Sequence, residues 1–317
     1  MQKLNELINN LASTLGQERN TPTFYQFVIN KFNGYVSVLQ DNADSIDYLL
    51  QNTEELRCKK TSIRFINLIK SINKRCIEIL SRAYKGDLLS ATAQLKSLLV
   101  VQKYTYYKLM DVYANYLQFK RIEDYELFRC VDFKSGEVPV SCNHVPFNLR
   151  HLASKQRFNQ IGVPCLYLST SLDCCQQEIG DVAKENERWY GTFKAKRNLF
   201  FADFTIPSPD EVKTMSFYDK FSFLVTYPLR LLCLTKAKEG NSQFVEEYLF
   251  SQLFLHVLFL SEHDNFQNFD GICYTSMKDG SCLNFVIPAK YQSNIPPVEG
   301  LSDFIESIIE EKNVTKL

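Results

Sequence analysis

Residues 156–180, QRFNQIGVPCLYLSTSLDCCQQEIG, combine the signals of a turn, a buried strand and a helix in one short stretch. The apolar run VPCLYLS predicts a strand, and the polar STSLD that follows it predicts the start of a helix. Three side chains suited to chemistry lie along this stretch: Arg157 before the turn, Tyr167 near the end of the strand and Glu178 on the helix. Because the helix follows the strand directly, we expect the chain to fold back and bring Tyr167 close to Glu178.

The composition is that of a globular protein without a strong overall charge. The chain has 317 residues, of which 45% are hydrophobic, and this is enough to bury a sizeable core. Its 36 Lys and Arg residues equal its 36 Asp and Glu residues, so no overall field attracts nucleic acid or an anionic membrane. We therefore expect no direct nucleic-acid partner and no membrane partner.

The opening segment and the cysteines favour a reducing compartment. The segment MQKLNELINNLASTLG interrupts its apolar residues with Asn and Glu, unlike the unbroken apolar core of a signal peptide. No apolar run in the sequence approaches the roughly 18 residues of a membrane span. The ten cysteines include no C-x-x-C pair of the kind that seeds zinc sites and redox motifs. We expect a cytoplasmic protein that folds without metals or crosslinks.

The residue pattern of the first part of the chain is typical of a helical domain. Proline interrupts helices, and Pro22 is the only proline before Pro139. Residues 60–87 carry apolar side chains at helical spacing up to Gly86, a candidate helix end, after which Asp87 can cap the next helix. These patterns predict an N-terminal all-helical domain over residues 1–118.

The second part of the chain contains both strand-like and helix-like segments. Short apolar runs bounded by Pro and Gly, such as GVPCLYLST, NLFFADFTIP and CLNFVIP, are typical of strands. Two longer apolar stretches, residues 221–240 and 241–264, predict helices that pack on the sheet. Because strands and helices do not alternate strictly, residues 119–317 are predicted to form one mixed α/β domain, and the fold class is α+β.

Further polar side chains stand out in the second part. The run LFRCVDF places Arg129 inside a strand, where a charge must be paired, reach solvent or bind an anion. The run FDGICYTS places Ser276 just after a short strand. His144 and His151 lie near Cys142, but no complete set of metal ligands accompanies them, so we expect both histidines in a loop or at the rim of a pocket.

In combination, these segments resemble the RES domain, a family named for its Arg, Glu and Ser. The resemblance runs in the family's order through LFRCVDF, HVPFNLRHLASKQRFNQIGVPCLYLSTSLDCCQQEIG, EEYLFSQL, FDGICYTS and LNFVIP, and covers most of residues 120–290. It implies a fold similar to that of ADP-ribosyltransferases. Characterised members are bacterial toxins that consume NAD and are generally neutralised by a helix-turn-helix antitoxin, so the resemblance implies a toxin of this kind.

The resemblance also implies which residues form the site. Glu178, Arg157 and Tyr167 would be catalytic. Arg129 and Ser276, together with Arg157 and Tyr167, would bind NAD. In this interpretation NAD is the substrate, and no metal is expected.

The residue types suit this chemistry. Guanidinium groups form paired, charge-assisted hydrogen bonds with phosphate oxygens, which fits Arg129 and Arg157 to the pyrophosphate of NAD. Loss of nicotinamide builds oxocarbenium character at the ribose, and a nearby carboxylate, Glu178, would stabilise that charge. Tyr167 would stack on a planar ring, and Ser276 would hydrogen-bond the ribose or the nicotinamide amide.

Some features depart from the family pattern or extend it. Gln156 stands before the arginine where many relatives resemble GRFN, whereas the arginine itself is kept. Arg150 and Tyr274 are secondary site candidates. The N-terminal part resembles the HEPN-like helical extension of some longer RES proteins. Residues 1–143 contain no histidine and so lack the Arg-x4-6-His motif of HEPN nucleases, and we expect a structural or inhibitory role for this part.

Three functions stay open on the sequence. The leading one is an NAD-degrading enzyme that cleaves the nicotinamide–ribose bond, by hydrolysis or phosphorolysis, and arrests growth as a toxin. The alternatives are a mono-ADP-ribosyltransferase that modifies a protein target and a non-catalytic nucleotide-binding interaction module. The expected partners are NAD and a helix-turn-helix antitoxin, with a homo-oligomer as a further option.

Overall fold

The chain folds into two compact units. The computed structural model describes residues 1–54, 61–99, 119–122, 125–238, 244–260, 269–290 and 299–317. A helical unit comprises Met1–Gln118 and Ile206–Val257, and a sheet unit comprises Phe119–Thr205 and Leu258–Leu317. The α+β class predicted from the sequence is confirmed.

The helices of the N-terminal part follow the local sequence signals. They are α1 (Gln2–Ala12), α2 (Phe24–Asp41), α3 (Ala43–Asn52), α4 (Ser62–Tyr84) and α5 (Leu88–Leu99). Gly86 follows α4 with a φ of 79°, a left-handed conformation that suits a residue without a Cβ. Asp87 Oδ1 then accepts a hydrogen bond from Ser90 N at 3.2 Å and caps α5.

The helical unit also contains helices from the middle of the chain. They are α7 (Pro209–Thr214), α8 (Phe217–Leu234) and α9 (Leu249–Leu255), whereas α6 (Leu172–Ile179) belongs to the sheet unit. Every residue of α8 from Lys220 to Leu234 is buried, and Tyr35 on α2 donates its hydroxyl hydrogen to Leu224 O at 2.6 Å. No helix in the described residues, α8 included, is long and apolar enough to cross a membrane.

The position of α8 corrects the predicted domain division. The sequence assigns residues 206–257 to the domain 119–317 and expects their long helix to lie on the sheet. The structure places these residues in the helical unit, where α8 packs against α1, α2, α3, α4 and α9. A helix that is apolar around its whole circumference needs neighbours on all sides, and surrounding helices provide them.

The sheet unit contains a mixed sheet. Its described strands are β1 (Phe119–Ile122), β2 (Glu126–Lys134), β3 (Cys165–Ser169), β4 (Asn186–Ala195), β5 (Leu199–Phe204), β6 (Gly271–Thr275), β7 (Leu283–Pro288) and β8 (Ile309–Lys316). They lie in the order β1-β5-β6-β7-β3-β2-β4-β8, and every neighbouring pair is antiparallel except β5 and β6. The unit also contains α6 (Leu172–Ile179) and α10 (Asp303–Ile308).

The two faces of the sheet differ in character. The core face packs apolar side chains, which on the central strands include Leu127, Leu166, Leu168, Cys273, Phe285 and Ile287. Because side chains alternate along a strand, the residues between these point to the opposite face. We call the face of β3, β6 and β7 that carries Tyr167, Tyr274 and Asn284 the site face.

Candidate active site

Strand pairing assembles a polar row on the site face. Ser169 on β3 lies opposite Asn284 on β7, and Asn284 in turn lies opposite Tyr274 on β6. Tyr167 lies opposite Val286, one step further along the same pair of strands. Directly opposed residues of antiparallel strands share a face, so Tyr167 and the polar row lie side by side.

Helix α6 lies against β2 and β3 and carries Glu178 in its last turn. Ser171 caps the start of the helix, because its Oγ accepts a hydrogen bond from Cys174 N at 3.2 Å. Cys175 Sγ donates to Phe128 O at 3.0 Å, which ties the helix to the backbone of β2. These contacts fix where the last turn of α6, and with it Glu178, comes to lie.

The Glu178 carboxylate connects α6 to two strands of the sheet. Its Oε1 accepts a hydrogen bond from Ser276 Oγ at 2.6 Å and another from Asn284 Nδ2 at 2.7 Å. Ser276 follows β6, and Asn284 belongs to β7. Two of the site residues predicted from the sequence, Glu178 and Ser276, are therefore in direct contact.

The hydroxyl of Ser276 is fully used by its neighbours. It donates to Glu178 and accepts hydrogen bonds from Lys278 N and Asp279 N, each at 3.1 Å. A serine hydroxyl has one donor and two acceptor sites, so these three bonds exhaust it. The residue is buried, with 3% of its surface exposed. In this arrangement Ser276 orients Glu178. The Ser276 hydroxyl could contact NAD, as predicted, only if one of its three hydrogen bonds were broken.

Tyr167 holds the loop before β3 against the site face. Its hydroxyl donates to Asn159 Oδ1 at 2.8 Å and accepts from Phe158 N at 3.3 Å. The Phe158 ring lies 5.3 Å from the ring of Tyr274, measured between centroids. The loop is thus anchored through both tyrosines. The Tyr167 ring is half-buried, which leaves part of it exposed.

Arg157 lies in the same loop and is buried, with 8% of its surface exposed. It directly precedes Phe158, whose backbone N contacts Tyr167, so the structure brings the chain at Arg157 to the site face. A buried guanidinium requires polar or anionic partners, which is compatible with the predicted role in binding phosphate. The secondary candidate Arg150 is exposed, and its Nε donates to Phe147 O within its own turn.

Arg129 lies on the other side of the sheet. It follows Leu127 by two residues in β2, so its side chain points to the core face. Gly191 lies opposite it on β4, and the Glu311 carboxylate occupies the space that a Cβ at Gly191 would need. Burial lowers the pKa of the Arg129 guanidinium, while the nearby Cys142 and Glu311 act in the opposite direction. The structure does not bring Arg129 to the site face, and this geometry does not support its predicted contact with NAD.

A disulfide joins the two parts of the site, contrary to the expectation of a chain without crosslinks. Cys174 on α6 is bonded to Cys282, which directly precedes β7, across 108 residues of sequence. The bond links the helix that carries Glu178 to the hairpin that carries Asn284. Asp279 lies near both sulfurs, with ligand atoms of the three residues within 4.8 Å of one another. Sulfurs joined in a disulfide are not thiolates, so this group is not a metal site in the observed state.

His144 is a structural residue in a loop. Its Nδ1 is hydrogen-bonded to Val145 O, and its Nε2 accepts from Ser302 N, both at 2.8 Å. Because the bond from Ser302 N assigns Nε2 as the acceptor, Nδ1 carries the proton and donates to Val145. With both ring nitrogens engaged, His144 has no lone pair to offer a metal ion.

Two residues of the site are absent from the sequence-based prediction. Asn284 contacts Glu178, and Asn159 contacts Tyr167. Both asparagines are buried, with 4% and 3% of their surfaces exposed. For Asn284 the sequence does contain a signal: an amide lies inside the apolar run LNFVIP, and a buried polar group must find a hydrogen-bond partner. Asn159 has no comparable signal in its polar loop.

Comparison with known proteins gives one relative. A Bacillus subtilis (strain 168) protein named "Putative toxin YopC" is 29% identical to this chain over 147 residues, which cover 43% of this chain. The match spans 32% of the relative, so about a third of that protein's length corresponds to this chain. No family model matches the chain. No solved structure matches it either.

Proposed function

We propose that this chain is a toxin that destroys NAD by cleaving the bond between nicotinamide and ribose. One observation carries the proposal: the Glu178 carboxylate accepts hydrogen bonds from Ser276, just after β6, and from Asn284 on β7, whose face also carries Tyr167. Tyr167 in turn contacts the loop of Arg157. A fixed carboxylate on a face that also carries an aromatic ring, with an arginine in the adjoining loop, is suited to a substrate with a planar ring, a ribose and a pyrophosphate. The name of the Bacillus relative supports the toxin part of the proposal.

The proposed reaction begins with cleavage of the bond between the ribose C1′ and the nicotinamide nitrogen. The electron pair leaves with nicotinamide, which departs as a neutral molecule, and positive charge develops on the ribose. The Glu178 carboxylate stabilises this charge electrostatically. Water then attacks C1′ and loses a proton, giving ADP-ribose, or inorganic phosphate attacks and gives the phosphorylated sugar.

The other residues position the substrate. Arg157 binds the pyrophosphate through its paired N–H groups, and Tyr167 stacks its ring on a planar group of the substrate. Ser276 keeps the Glu178 carboxylate in place. These roles need no metal, because the carboxylate supplies the negative charge and nicotinamide is a good leaving group.

The test is to incubate the purified protein with NAD, with and without phosphate, and to separate the products. Hydrolysis yields nicotinamide and ADP-ribose in equal amounts, whereas phosphorolysis requires phosphate and yields a phosphorylated ADP-ribose. Absence of nicotinamide release under both conditions contradicts the proposal. Label transferred from NAD to protein would instead identify the alternative, a mono-ADP-ribosyltransferase. A rise in melting temperature with NAD but no turnover would identify the other alternative, a non-catalytic binding module.

The toxin part is tested by expression in bacteria. Growth arrest accompanied by a fall in cellular NAD is expected for the parental chain, and neither is expected for the Glu178→Gln variant. Arrest without a fall in NAD would separate toxicity from the proposed reaction. Neutralisation by a helix-turn-helix partner encoded with the chain remains a prediction.

A further inference from the structure

Asn284 is a buried amide in an apolar strand. It lies between Leu283 and Phe285 on β7, and 4% of its surface is exposed. Placing an amide in such surroundings costs free energy unless its polar atoms are hydrogen-bonded. Its Nδ2 donates to Glu178 Oε1 at 2.7 Å, so the Glu178 carboxylate is the partner that compensates this cost. A residue that served packing alone at this position would be apolar.

One carboxylate oxygen of Glu178 accepts both of its hydrogen bonds. Ser276 and Asn284 both donate to Oε1, and within the described residues Oε2 accepts no hydrogen bond. A carboxylate held through one oxygen has a fixed plane, because two donors from different directions oppose rotation about its terminal torsion. The lone pairs of Oε2 are then available to a substrate.

We propose that Asn284 is a positioning residue, which together with Ser276 holds Oε1 so that Oε2 of Glu178 is the oxygen that faces the ribose. This inference rests on the proposed NAD cleavage and identifies Oε2 as the Glu178 atom that stabilises the charge on the ribose. Asparagine suits the role because its Nδ2 is a donor. Aspartate has the same shape but no donor when ionised, and would place a second negative charge against Oε1.

The first experiment compares Asn284→Leu and Asn284→Asp with the parental chain. Leu keeps the size and removes the donor, so kcat is expected to fall about 10- to 100-fold while KM stays within a few-fold, because a positioning residue acts on Glu178 and not on the substrate. Asp is expected to lower kcat at least as far as Leu. Ser281→Ala is the matched control, since Ser281 lies on the same hairpin and its hydroxyl bonds Asp279 instead of Glu178. A parental kcat in both variants, or a higher KM with unchanged kcat, overturns the proposal.

A double-mutant cycle separates positioning from general damage to the fold. If Asn284 acts only through Glu178, Asn284→Leu causes no further loss of turnover in the Glu178→Gln background. The same fold-loss in both backgrounds overturns the positioning role, because it would mean that Asn284 acts independently of Glu178.

A third measurement requires no catalysis. The side-chain amide signals of Asn284, identified by their loss in Asn284→Asp, are expected to shift in an NMR spectrum when Glu178 is changed to Gln. Unchanged amide signals overturn the contact and the positioning role with it. If the amide signals shift but the parental chain releases no nicotinamide, the contact is real and the proposed function is what fails.

Discussion

The Glu178 carboxylate and the Ser276 hydroxyl lie 2.6 Å apart, although 98 residues separate them in the chain. The contact forms because α6, which follows β3, reaches the turn after β6, and β7 is the strand that lies between β3 and β6. A solvated residue at the end of a helix has no such partner. The position of Glu178 therefore depends on the sheet.

Replacing Glu178 by Gln should separate binding from turnover. Gln is nearly isosteric and retains an oxygen that accepts from Ser276 and Asn284, but it is neutral. We expect NAD affinity to change by a few-fold at most and kcat to fall by a factor on the order of 100 or more, since the lost charge acts mainly in the transition state. Nicotinamide release and equilibrium binding measure the two effects. Glu185→Gln, an exposed residue of the same unit, is the control, and a parental rate for Glu178→Gln would rule out its catalytic role.

Replacing Arg157 by Ala should weaken NAD binding and turnover together. Loss of a paired phosphate contact removes affinity in the ground state as well as orientation in the transition state. Arg157→Lys should recover only part of both, because an ammonium lacks the planar fork. Calorimetric binding and steady-state kinetics test this, with the exposed Arg121→Ala as the control. Unaltered affinity in Arg157→Ala would discard the phosphate role.

Reducing the Cys174–Cys282 disulfide should lower both stability and activity. The bond closes a span of 108 residues, and removal of such a crosslink typically lowers the free energy of unfolding by about 2–5 kcal/mol. It also releases α6 from the hairpin, so we expect slower NAD turnover. Urea unfolding and nicotinamide release, with and without a dithiol reductant, measure these effects. The double variant Cys174→Ser, Cys282→Ser is the control, because the reductant should not change it further. Equal unfolding midpoints for the parental chain under both conditions would contradict the prediction.

His144 should make the fold sensitive to acid. Burial lowers its pKa from 6.5 to about 4, opposed by the hydrogen bond to Val145 and assisted by Arg129. Between these two values the unfolded state binds a proton that the folded state does not, so stability is fully present above pH 6.5 and declines as the pH falls towards 4. A shift of this size corresponds to a loss on the order of 3 kcal/mol.

The measurement is the free energy of unfolding at several pH values across this window. His144→Gln should be less stable at neutral pH, because it loses the two hydrogen bonds of the ring, yet its stability should depend less on pH. His151→Gln changes an exposed residue and should keep the parental dependence. A parental slope in His144→Gln would assign the acid sensitivity to other groups.

A fragment of residues 119–317 should not fold as an intact domain. It retains α8 but lacks α1–α4, against which α8 packs, so the apolar surface of α8 would be exposed. We expect aggregation in size-exclusion chromatography and loss of cooperative unfolding. A monodisperse fragment with a single sharp unfolding transition would show that the sheet unit and α8 are independent of the N-terminal helices.

Local features of the fold follow from the sequence alone. The end of α4 at Tyr84 and the cap of α5 at Asp87 were readable from Gly86 and the polar residue after it, because caps depend on neighbouring residues only. The unit of β3 followed by α6 was equally readable, as were the residue types suited to NAD chemistry. The α+β class follows from these local patterns.

The face on which a strand residue lies was ambiguous where the pattern did not alternate. The run LFRCVDF has apolar residues on both faces, so it predicts a strand but not the direction of Arg129. Pairing with β4, opposite Gly191, turned Arg129 to the core face. The helix α8 was a similar case, because an apolar stretch indicates burial without naming the neighbours that bury it.

The sequence by itself determined individual helices such as α4, individual strands such as β3 and the chemistry of single side chains, since these depend on periods of two or 3.6 residues and on adjacent caps. Only the tertiary structure decided that Asn284 and Ser276 meet Glu178 and that Cys174 meets Cys282. These contacts join segments about 100 residues apart, and they exist because β7 pairs with both β3 and β6 in one register. A shift of that register by one residue would turn Asn284 to the core face and leave the Glu178 carboxylate without its anchor on β7.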